Sequence, residues 1–222
     1  MKFERIIIQL IDWIYSLLFC CRVFPLRTAI YTPVNISHNV KIGNIFKGSI
    51  EIKGPLYHNK VFIGHQGYSA IAETKGLLHI EKGSKLILGG TARFAQGIRL
   101  WIENDSQITV GDNFYCNKNC LLRASEDVFI GKDVLLGWNI EVNTDNGHTI
   151  VIDGVSKDCH APIFNGNHVW VASYAVLNKG TSIGDNCVVA GHAFVQTSFT
   201  EENLLIGGIP ARVIKRNCTW FL

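Results

Sequence analysis

The residues best suited to chemistry lie in residues 141–163, where histidines and carboxylates fall close together. His148 and His160 lie inside this stretch and His168 follows it, so the region accounts for three of the eight histidines. A neutral imidazole can take the proton of a weak nucleophile near pH 7. A histidine in this stretch is therefore a candidate general base.

Three carboxylates compete to orient that base. Asp145 precedes His148 in the run Asp145-Asn-Gly-His148 and is suited to accept the second N–H of the imidazole. Asp153 and Asp158 are equally suited, and the sequence does not choose among them. A single loop histidine is more often only a solvated side chain. His148 is favoured as a catalyst because its loop interrupts an otherwise regular repeat.

The cysteines indicate a reducing compartment and no metal centre. Their number is odd, no C-x-x-C pair occurs, and Cys116 and Cys120 lack a second pair to complete a zinc site. The seven cysteines are at positions 20, 21, 116, 120, 159, 187 and 218. Free thiols are typical of the cytosol. We therefore expect a cytoplasmic protein without a bound metal.

The overall composition excludes some partners. The formal net charge is only +3, and no dense block of Lys or Arg occurs, so nucleic acid is not an expected partner. With 21 Gly, 5 Pro and 1 Met and a mean hydropathy of +0.17, the chain is apolar for a soluble protein. Helix-poor solenoids and membrane-associated enzymes both fit this balance.

A six-residue repeat predicts the fold that must position these groups. Aliphatic residues recur every six positions, and a small residue stands four positions after each of the first four. The aliphatic residues are Val171, Leu177, Ile183, Val189 and Val195, and the small residues are Ala175, Thr181, Cys187 and Ala193. A short strand and a turn take six residues, and three such units close one triangular coil. Coils must then stack to bury their apolar edges.

Upstream the repeat is looser, which indicates coils with insertions. Aliphatic-Gly pairs at 42, 63, 88, 110 and 130 are spaced by 20 to 25 residues. A β-sandwich does not explain five aliphatic residues in strict sixes. We therefore predict an all-β, parallel β-helix over residues 23–205, with an active-site loop at 142–168 and a tail at 206–222. Insertions in a solenoid become loops on one face, which is usually the binding face.

Residues 1–22 are predicted to form a separate N-terminal helix. Arg5, Gln9, Asp12 and Ser16 form one narrow polar stripe over residues 3–19, and the other positions are mostly large and apolar. One interpretation is a helix in the membrane interface, with Lys2 and Arg5 near lipid head groups. The other is a helix packed on its own subunit or on a neighbour. The segment has no small-residue cleavage motif typical of a signal peptide.

Two segments resemble the hexapeptide-repeat acetyltransferases. Residues 167–186, with Val169-Trp170-Val-Ala-Ser173 and Gly180-Thr-Ser-Ile-Gly184, resemble the family signature V-W-I-G…G-x-x-I-G-x-x. Residues 207–215 are similar to its closing G-x-P-A-[KR]-x-[IV]-[KR] segment. The resemblance implies a left-handed β-helix and a homotrimer with active sites in the clefts between subunits.

The resemblance also implies a reaction. Asp145-Asn-Gly-His148 stands where the capsule and exopolysaccharide O-acetyltransferases of this family have their catalytic histidine. The expected reaction is direct transfer of an acetyl group from acetyl-CoA to a sugar hydroxyl, with His148 as base and no acyl-enzyme. N-acetylation of a nucleotide-linked amino sugar is the alternative. A rival from another class is a metal-dependent β-helix enzyme that uses His148, His160 and His168 as ligands.

The family's CoA contacts carry over to five residues. Trp170 and Ser173 match positions that border the pantetheine arm, and Gly191 matches a turn where bulk would block that arm. Arg212 and Lys215 match basic residues that meet the nucleotide phosphates, a role that suits charge-assisted hydrogen bonds.

One departure from the family pattern lies in the turn that borders the pantetheine arm of CoA. The turn that usually reads G-A-G-S or G-A-N-S is Ala190-Gly191-His192-Ala193 here. His192 is therefore expected in the CoA groove, where it either packs or contacts the acceptor.

Overall fold

The computed structural model describes residues 2–72 and 74–221, without the side chains of Lys2, Phe3 and Arg5. It consists of two N-terminal helices followed by a triangular prism of three β-sheets. The helices are α1 (Lys2–Val23) and α2 (Leu26–Ala29). The prism is a left-handed parallel β-helix, which confirms the predicted fold class.

Each face of the prism is one sheet. Sheet A contains β1 (Val34–Ile36), β4 (Val61–Ile63), β7 (Ala92–Phe94), β10 (Phe114–Cys116), β13 (Leu135–Leu136), β18 (Trp170–Val171), β21 (Val188–Val189), β23 (Leu205–Gly208) and β24 (Ala211–Lys215). Sheet B contains β2 (Val40–Ile42), β5 (Gly76–Ile80), β8 (Arg99–Ile102), β11 (Leu121–Ala124), β14 (Glu141–Asn143), β19 (Val176–Asn178) and β22 (Phe194–Val195). Sheet C contains β3 (Ile50–Ile52), β6 (Lys85–Leu88), β9 (Gln107–Val110), β12 (Val128–Ile130), β17 (Ile163–Asn165) and β20 (Ser182–Ile183).

The period of six corresponds to one face per repeat. Val171 lies in sheet A, Leu177 in sheet B and Ile183 in sheet C, after which Val189 pairs directly with Val171 one coil later. All of these side chains are buried on the prism axis. The four predicted small residues are also buried, because the chain turns sharply beside them and leaves no room for bulk. The predicted repeat is thus confirmed in the C-terminal coils.

The interpretation of the upstream spacing is only partly correct. Leu88, Val110 and Ile130 pair in adjacent strands of sheet C, as successive coils require. Ile42 lies in sheet B and Ile63 in sheet A, so these two do not mark successive turns of one face. The partner of Leu88 is Ile52. The register was hidden because extra residues lengthen three successive connections, at residues 43–49, 53–60 and 64–75.

The sheets meet at three edges, named edge AB, edge BC and edge CA by the sheets they join. The insertion at residues 64–75 lies on edge AB, and the predicted active-site loop leaves the prism at edge BC, between β14 and β17. This loop contains a hairpin of β15 (Ile150–Ile152) and β16 (Val155–Lys157). Its Asp153-Gly154 turn has positive φ angles of 50° and 76°, as a two-residue hairpin turn requires.

Helix α1 covers the first strand of sheet A with its polar stripe. Ser16 Oγ donates to the carbonyl of Ile36 at 3.2 Å and accepts its N–H at 2.9 Å, and Asp12 Oδ1 accepts the N–H of His38 at 2.7 Å. These contacts satisfy the open edge of β1, which would otherwise expose unpaired backbone groups. The helix extends from residue 2 to residue 23, beyond the predicted 3–19.

The C-terminal tail continues the prism instead of leaving it. β23 pairs parallel with β21, and β24 folds back antiparallel on β23, so the predicted boundary at 205/206 falls inside β23. Trp220 is 6% exposed and donates its indole N–H to the carbonyl of His168 at 2.8 Å. This hydrogen bond holds the C-terminal tail against sheet A.

Candidate active site

The predicted site residues lie on two different parts of the prism. Asp145 and His148 lie in the loop at edge BC, whereas the five predicted CoA contacts lie on sheet A or edge AB. Among the described residues, no hydrogen bond, ion pair or ring contact joins the loop to edge AB. A single subunit therefore does not bring the two groups together.

The base of the loop is held by an ion-pair network on sheet B. Asp145 is 6% exposed; its Oδ2 contacts the Arg123 guanidinium at 2.5 Å and its Oδ1 accepts the N–H of Gly147 at 2.6 Å. Arg123 also donates to Glu103 Oε1 at 2.9 Å. The Asp145 Oδ1 lies 3.4 Å from His160 Nε2. The structure thus pairs Asp145 with Arg123 and His160 and not with His148.

Glu103 is the centre of this network. It accepts hydrogen bonds from Trp101 Nε1 at 2.7 Å, Ser125 Oγ at 2.7 Å and Arg123. Burial alone would raise the pKa of Glu103, but these hydrogen bonds and the Arg123 charge outweigh it and lower that pKa. The carboxylate is therefore charged at neutral pH and fixes Arg123 beneath the loop.

His148 is exposed and has no hydrogen-bond or ion-pair partner among the described residues. It stands just before the hairpin, whose side chains Ile150, Val151, Ile152 and Val155 are each more than half exposed. Four apolar side chains on one small hairpin form a surface suited to contact another molecule. The sequence signal that could have indicated the hairpin is the Asp-Gly pair directly after the aliphatic run at residues 150–152.

The alternative metal centre is not assembled by the described residues. His148 is solvent-facing, His160 contacts Asp145, and His168 stacks on Trp220 at 4.4 Å on edge CA. A different set, Asp145, Cys159 and His160, has ligand atoms within 4.8 Å of one another. The Arg123 guanidinium already pairs with the Asp145 carboxylate and opposes a second positive charge there. These residues fit an ion pair better than a metal ion.

The predicted CoA contacts follow edge AB. Trp170 is 37% exposed on the outer surface of sheet A, and Ser173 and Gly191 lie in stacked turns one coil apart. A Cβ on Gly191 would meet the Ser173 carbonyl oxygen at 3.2 Å, so bulk is disfavoured in this turn. The three residues border one continuous strip of surface.

Two aromatic residues occupy unusual positions beside this strip. Tyr174 and His192 have positive φ angles of 66° and 60°, whereas equivalent turns of earlier coils carry Gly97, Asn119 and Asn139. Bulky side chains are rare in this conformation. The two rings stack with centroids 4.8 Å apart and remain exposed. His192 therefore packs on Tyr174, and the stack presents a flat aromatic surface next to Gly191.

The basic residues of the tail share one face of β24. In a regular strand, Arg212 and Lys215 would point to opposite faces because they are three residues apart. Here Val213 pairs with Ile206 and Lys215 pairs with Leu205, so Ile214 has no partner on β23. This bulge returns Arg212 and Lys215 to the same face. Both are exposed. They can contact one anionic group together, as the resemblance implies.

No family model matches the chain, but several known proteins are similar to it. It is 33% identical over 127 residues to a galactoside O-acetyltransferase of Escherichia coli K12, which covers 54% of this chain and 62% of that protein. The chain thus spans less than two thirds of that relative. A putative lipopolysaccharide biosynthesis O-acetyl transferase of the same organism is 27% identical, over 62% of this chain and 75% of that protein.

Among solved structures, a polysialic acid O-acetyltransferase superposes with a TM-score of 0.51 at 20% identity, over 85% of this chain and 87% of that one. A galactoside acetyltransferase in complex with coenzyme A gives a TM-score of 0.45 at 27% identity, over 61% and 65% of the two chains. The repeat and the fold agree with the two O-acetyltransferases that are similar in sequence. The resemblance to the hexapeptide-repeat acetyltransferases that the sequence motifs predict is therefore confirmed.

Proposed function

We propose that this protein transfers an acetyl group from acetyl-CoA to a sugar hydroxyl of a capsule, exopolysaccharide or lipopolysaccharide precursor. The observation that carries the proposal is the edge AB strip with its V-W and G-x-P-A segments, in a chain 33% identical to a galactoside O-acetyltransferase. The acceptor class follows from the sugars and polysaccharides in the names of such relatives.

In the proposed mechanism His148 takes the proton of the acceptor hydroxyl as its oxygen attacks the thioester carbonyl. The imidazole must be neutral and accessible, and the exposed position of His148 on the loop suits that task. CoA leaves as the thiol and the acetyl ester forms in one transfer. Asp145 acts by holding the loop base through Arg123, and not by direct contact with His148.

The separation of His148 from edge AB favours a shared active site. In a homotrimer, the loop of one subunit would lie against edge AB of the next, with the apolar hairpin in the contact. Burying Ile150, Val151 and their neighbours would contribute about 25 cal/mol per Å² of apolar surface. We therefore propose a trimer in which every cleft combines residues of two subunits.

Helix α1 supports a location on the inner face of the membrane. Residues Ile6–Val23 have a mean hydropathy of 1.7 and are, by length and composition alone, apolar enough to cross a bilayer. With its polar stripe against β1, the helix exposes its apolar side to solvent. Exposed Arg22 and Arg27 stand at its end. An interfacial helix next to anionic lipid fits this pattern, and we propose peripheral attachment.

The direct test is acetyl transfer by the purified protein. We expect CoA release that depends on a saccharide and a product acetylated on oxygen, identified by mass spectrometry and by its lability to mild base. Galactoside, maltose and polysialic acid form a suitable first panel. Saccharide-independent hydrolysis alone, or acetylation of an amino sugar at nitrogen only, would contradict the proposal.

A further inference from the structure

A large cavity lies outside the residues assigned to CoA and to the base. It has a volume of about 1150 Å³ and lies on edge AB between helix α1 and the insertion at residues 64–75. Asp12 and Gln9 line it from the helix, His65 and Gln66 from the insertion. Gln96 and Lys118 line it from the turns of the following coils.

The contact between α1 and the insertion leaves one buried polar atom that the fold alone does not explain. The Asp12 carboxylate is 12% exposed, and its Oδ1 contacts the His38 imidazole at 2.7 Å. Its Oδ2 is 3.8 Å from His65 Nδ1. The His65 Nε2 is buried without a hydrogen-bond partner among the described residues. A buried polar atom left unpaired costs stability and is therefore uncommon without a function.

The opposite wall, formed by the insertion, is held in place by contacts with residues of edge AB. Lys118 Nζ donates to the carbonyl of Ile71 at 2.9 Å, and Asn117 Oδ1 accepts the N–H of Tyr68 at 2.9 Å. The Tyr68 ring stacks on Trp138 with centroids 5.2 Å apart. Gly67, with φ +113°, allows the close approach, since a Cβ there would lie 2.5 Å from the Lys118 side chain. The insertion is thus held in place as a wall of the cavity.

The cavity lies on the same edge as the proposed CoA strip. The turns stack by backbone hydrogen bonds from Asn139 to Lys118 and from Tyr174 to Trp138. Ser173 is thus two coils beyond Lys118, about 10 Å away at the usual strand spacing. A ligand in the cavity can extend past Trp138 toward the thioester.

The lining favours a polyhydroxyl ligand. Amides, two carboxylates and an imidazole line the cavity and supply both donors and acceptors. The Tyr68–Trp138 stack lies next to this lining in the chain, since Gly67 and Ser69 line the cavity. A phosphate or nucleotide would need several cations. Among the described lining residues Lys118 is the one Lys or Arg, and its Nζ is already bound to Ile71.

We propose that this cavity is the saccharide-binding site of the enzyme and that α1 forms one of its walls. The inference rests on the proposed sugar acetyltransferase function. It assigns Gln9 and Gln96 as saccharide-binding residues, because their side chains line the cavity and form no hydrogen bond within the described chain. It also makes α1 part of the active enzyme.

Two variants test the saccharide site without changing the residues that hold its walls in place. In Gln9→Ala/Gln96→Ala the KM for the saccharide should rise about tenfold, the effect of losing two neutral hydrogen bonds. In Ala70→Trp the indole should obstruct part of the cavity and raise the KM for the saccharide. For both, the KM for acetyl-CoA and the Tm should stay unchanged. Lys82→Trp, at an exposed turn on another edge, is the matched control.

The measurements distinguish the proposed acetyltransferase function from the proposal that the cavity binds the saccharide. Steady-state kinetics are run with a galactoside and with polysialic acid, and saturation-transfer NMR follows binding of the same sugars without CoA. Presenting the galactoside free and on a lipid in vesicles distinguishes the two sources of acceptor. Wild-type protein that acetylates no sugar overturns the proposed function. Wild-type activity combined with an unchanged saccharide KM and NMR signal in both variants overturns the cavity site.

Discussion

At the scale of single residues, two histidines of one loop have different surroundings. His148 is exposed and without a partner among the described residues, whereas His160 contacts both Asp145 and the Cys159 thiol. A base must reach the acceptor, and a histidine engaged with a buried carboxylate at the loop base is better placed to hold that loop. On these surroundings we propose His148 as the base and His160 as a positioning residue.

We expect His148→Ala to lower turnover by about 10²- to 10⁴-fold, the usual contribution of a general base. Its folding and Tm should be unchanged because the side chain has no contacts to lose. His160→Ala should lower the Tm more than it lowers turnover. Steady-state kinetics and thermal unfolding of both variants check this. The reverse pattern, with His148→Ala nearly normal, would transfer the role to His160.

The Glu103 network gives a prediction about pH. Because the pKa of Glu103 is lowered below its ordinary value of 4.5, the charged form stabilises the fold above that pH, and the stability is lost as pH falls through the lowered pKa. Glu103→Gln should cost about 1–3 kcal/mol at pH 7 and much less at the acidic end. Urea unfolding from pH 7 down to a pH below the lowered pKa of Glu103 measures the difference. A difference independent of pH would show that the charge is unimportant.

At the scale of elements, helix α1 has the reverse of the usual amphipathic arrangement. Asp12, Ser16 and the Tyr15 hydroxyl face the prism, and Tyr15 donates to the carbonyl of Val40 at 2.9 Å. The exposed apolar side includes Ile7, Ile8, Leu10, Ile11, Trp13, Ile14 and Leu18. The side chains of Lys2 and Arg5, expected near head groups, lie outside the described residues. These polar contacts, together with the buried side chains of Phe19, Cys20 and Val23, hold the helix on the prism and leave its exposed apolar side available.

We expect the variant Ile11→Gln/Ile14→Gln/Leu18→Gln to lose binding to anionic vesicles while it keeps its Tm and its activity on a soluble sugar. Each of these side chains contributes about 1.5–3 kcal/mol when fully buried in an apolar phase, so the partition should fall more than tenfold. Co-sedimentation with phosphatidylglycerol vesicles measures it. Phe164→Gln, a similarly exposed apolar position on sheet C, is the control. Loss of the oligomer with unchanged vesicle binding would identify the helix as an assembly surface.

At the scale of the whole molecule, the prism keeps the loop on edge BC and the CoA strip on edge AB. The proposed trimer joins them across subunits, which a mixing experiment can test. His148→Ala lacks the base, and Gly191→Trp blocks the groove, so each should be inactive alone. Co-expressed subunits should regain about a quarter of wild-type activity. When the two variants mix at random, about one cleft in four combines an intact His148 from one subunit with an intact Gly191 from its neighbour. No recovery in mixed trimers would mean that each subunit supplies a complete site.

The sequence alone predicted the repeat, the fold class and the resemblance to the hexapeptide-repeat acetyltransferases. A period of six allows few solutions, because each aliphatic residue must reach one axis, as Val171, Leu177 and Ile183 do on three successive faces. The motifs around Trp170 and Arg212 were equally readable, since they are short and contiguous. The hairpin with its turn at Asp153-Gly154 was not predicted, although an Asp-Gly pair is a local turn signal.

Only the tertiary structure decided which groups meet. Asp145 could have oriented His148 by spacing, but coil stacking brings Arg123 of the preceding coil to its carboxylate instead. The insertion at 64–75 and helix α1 are far apart in sequence, and their cavity exists because both pack at the start of the prism. The polar stripe of α1 indicated a helix but not the direction of its faces. Contacts of this kind depend on distances between distant segments, which local periodicity does not encode.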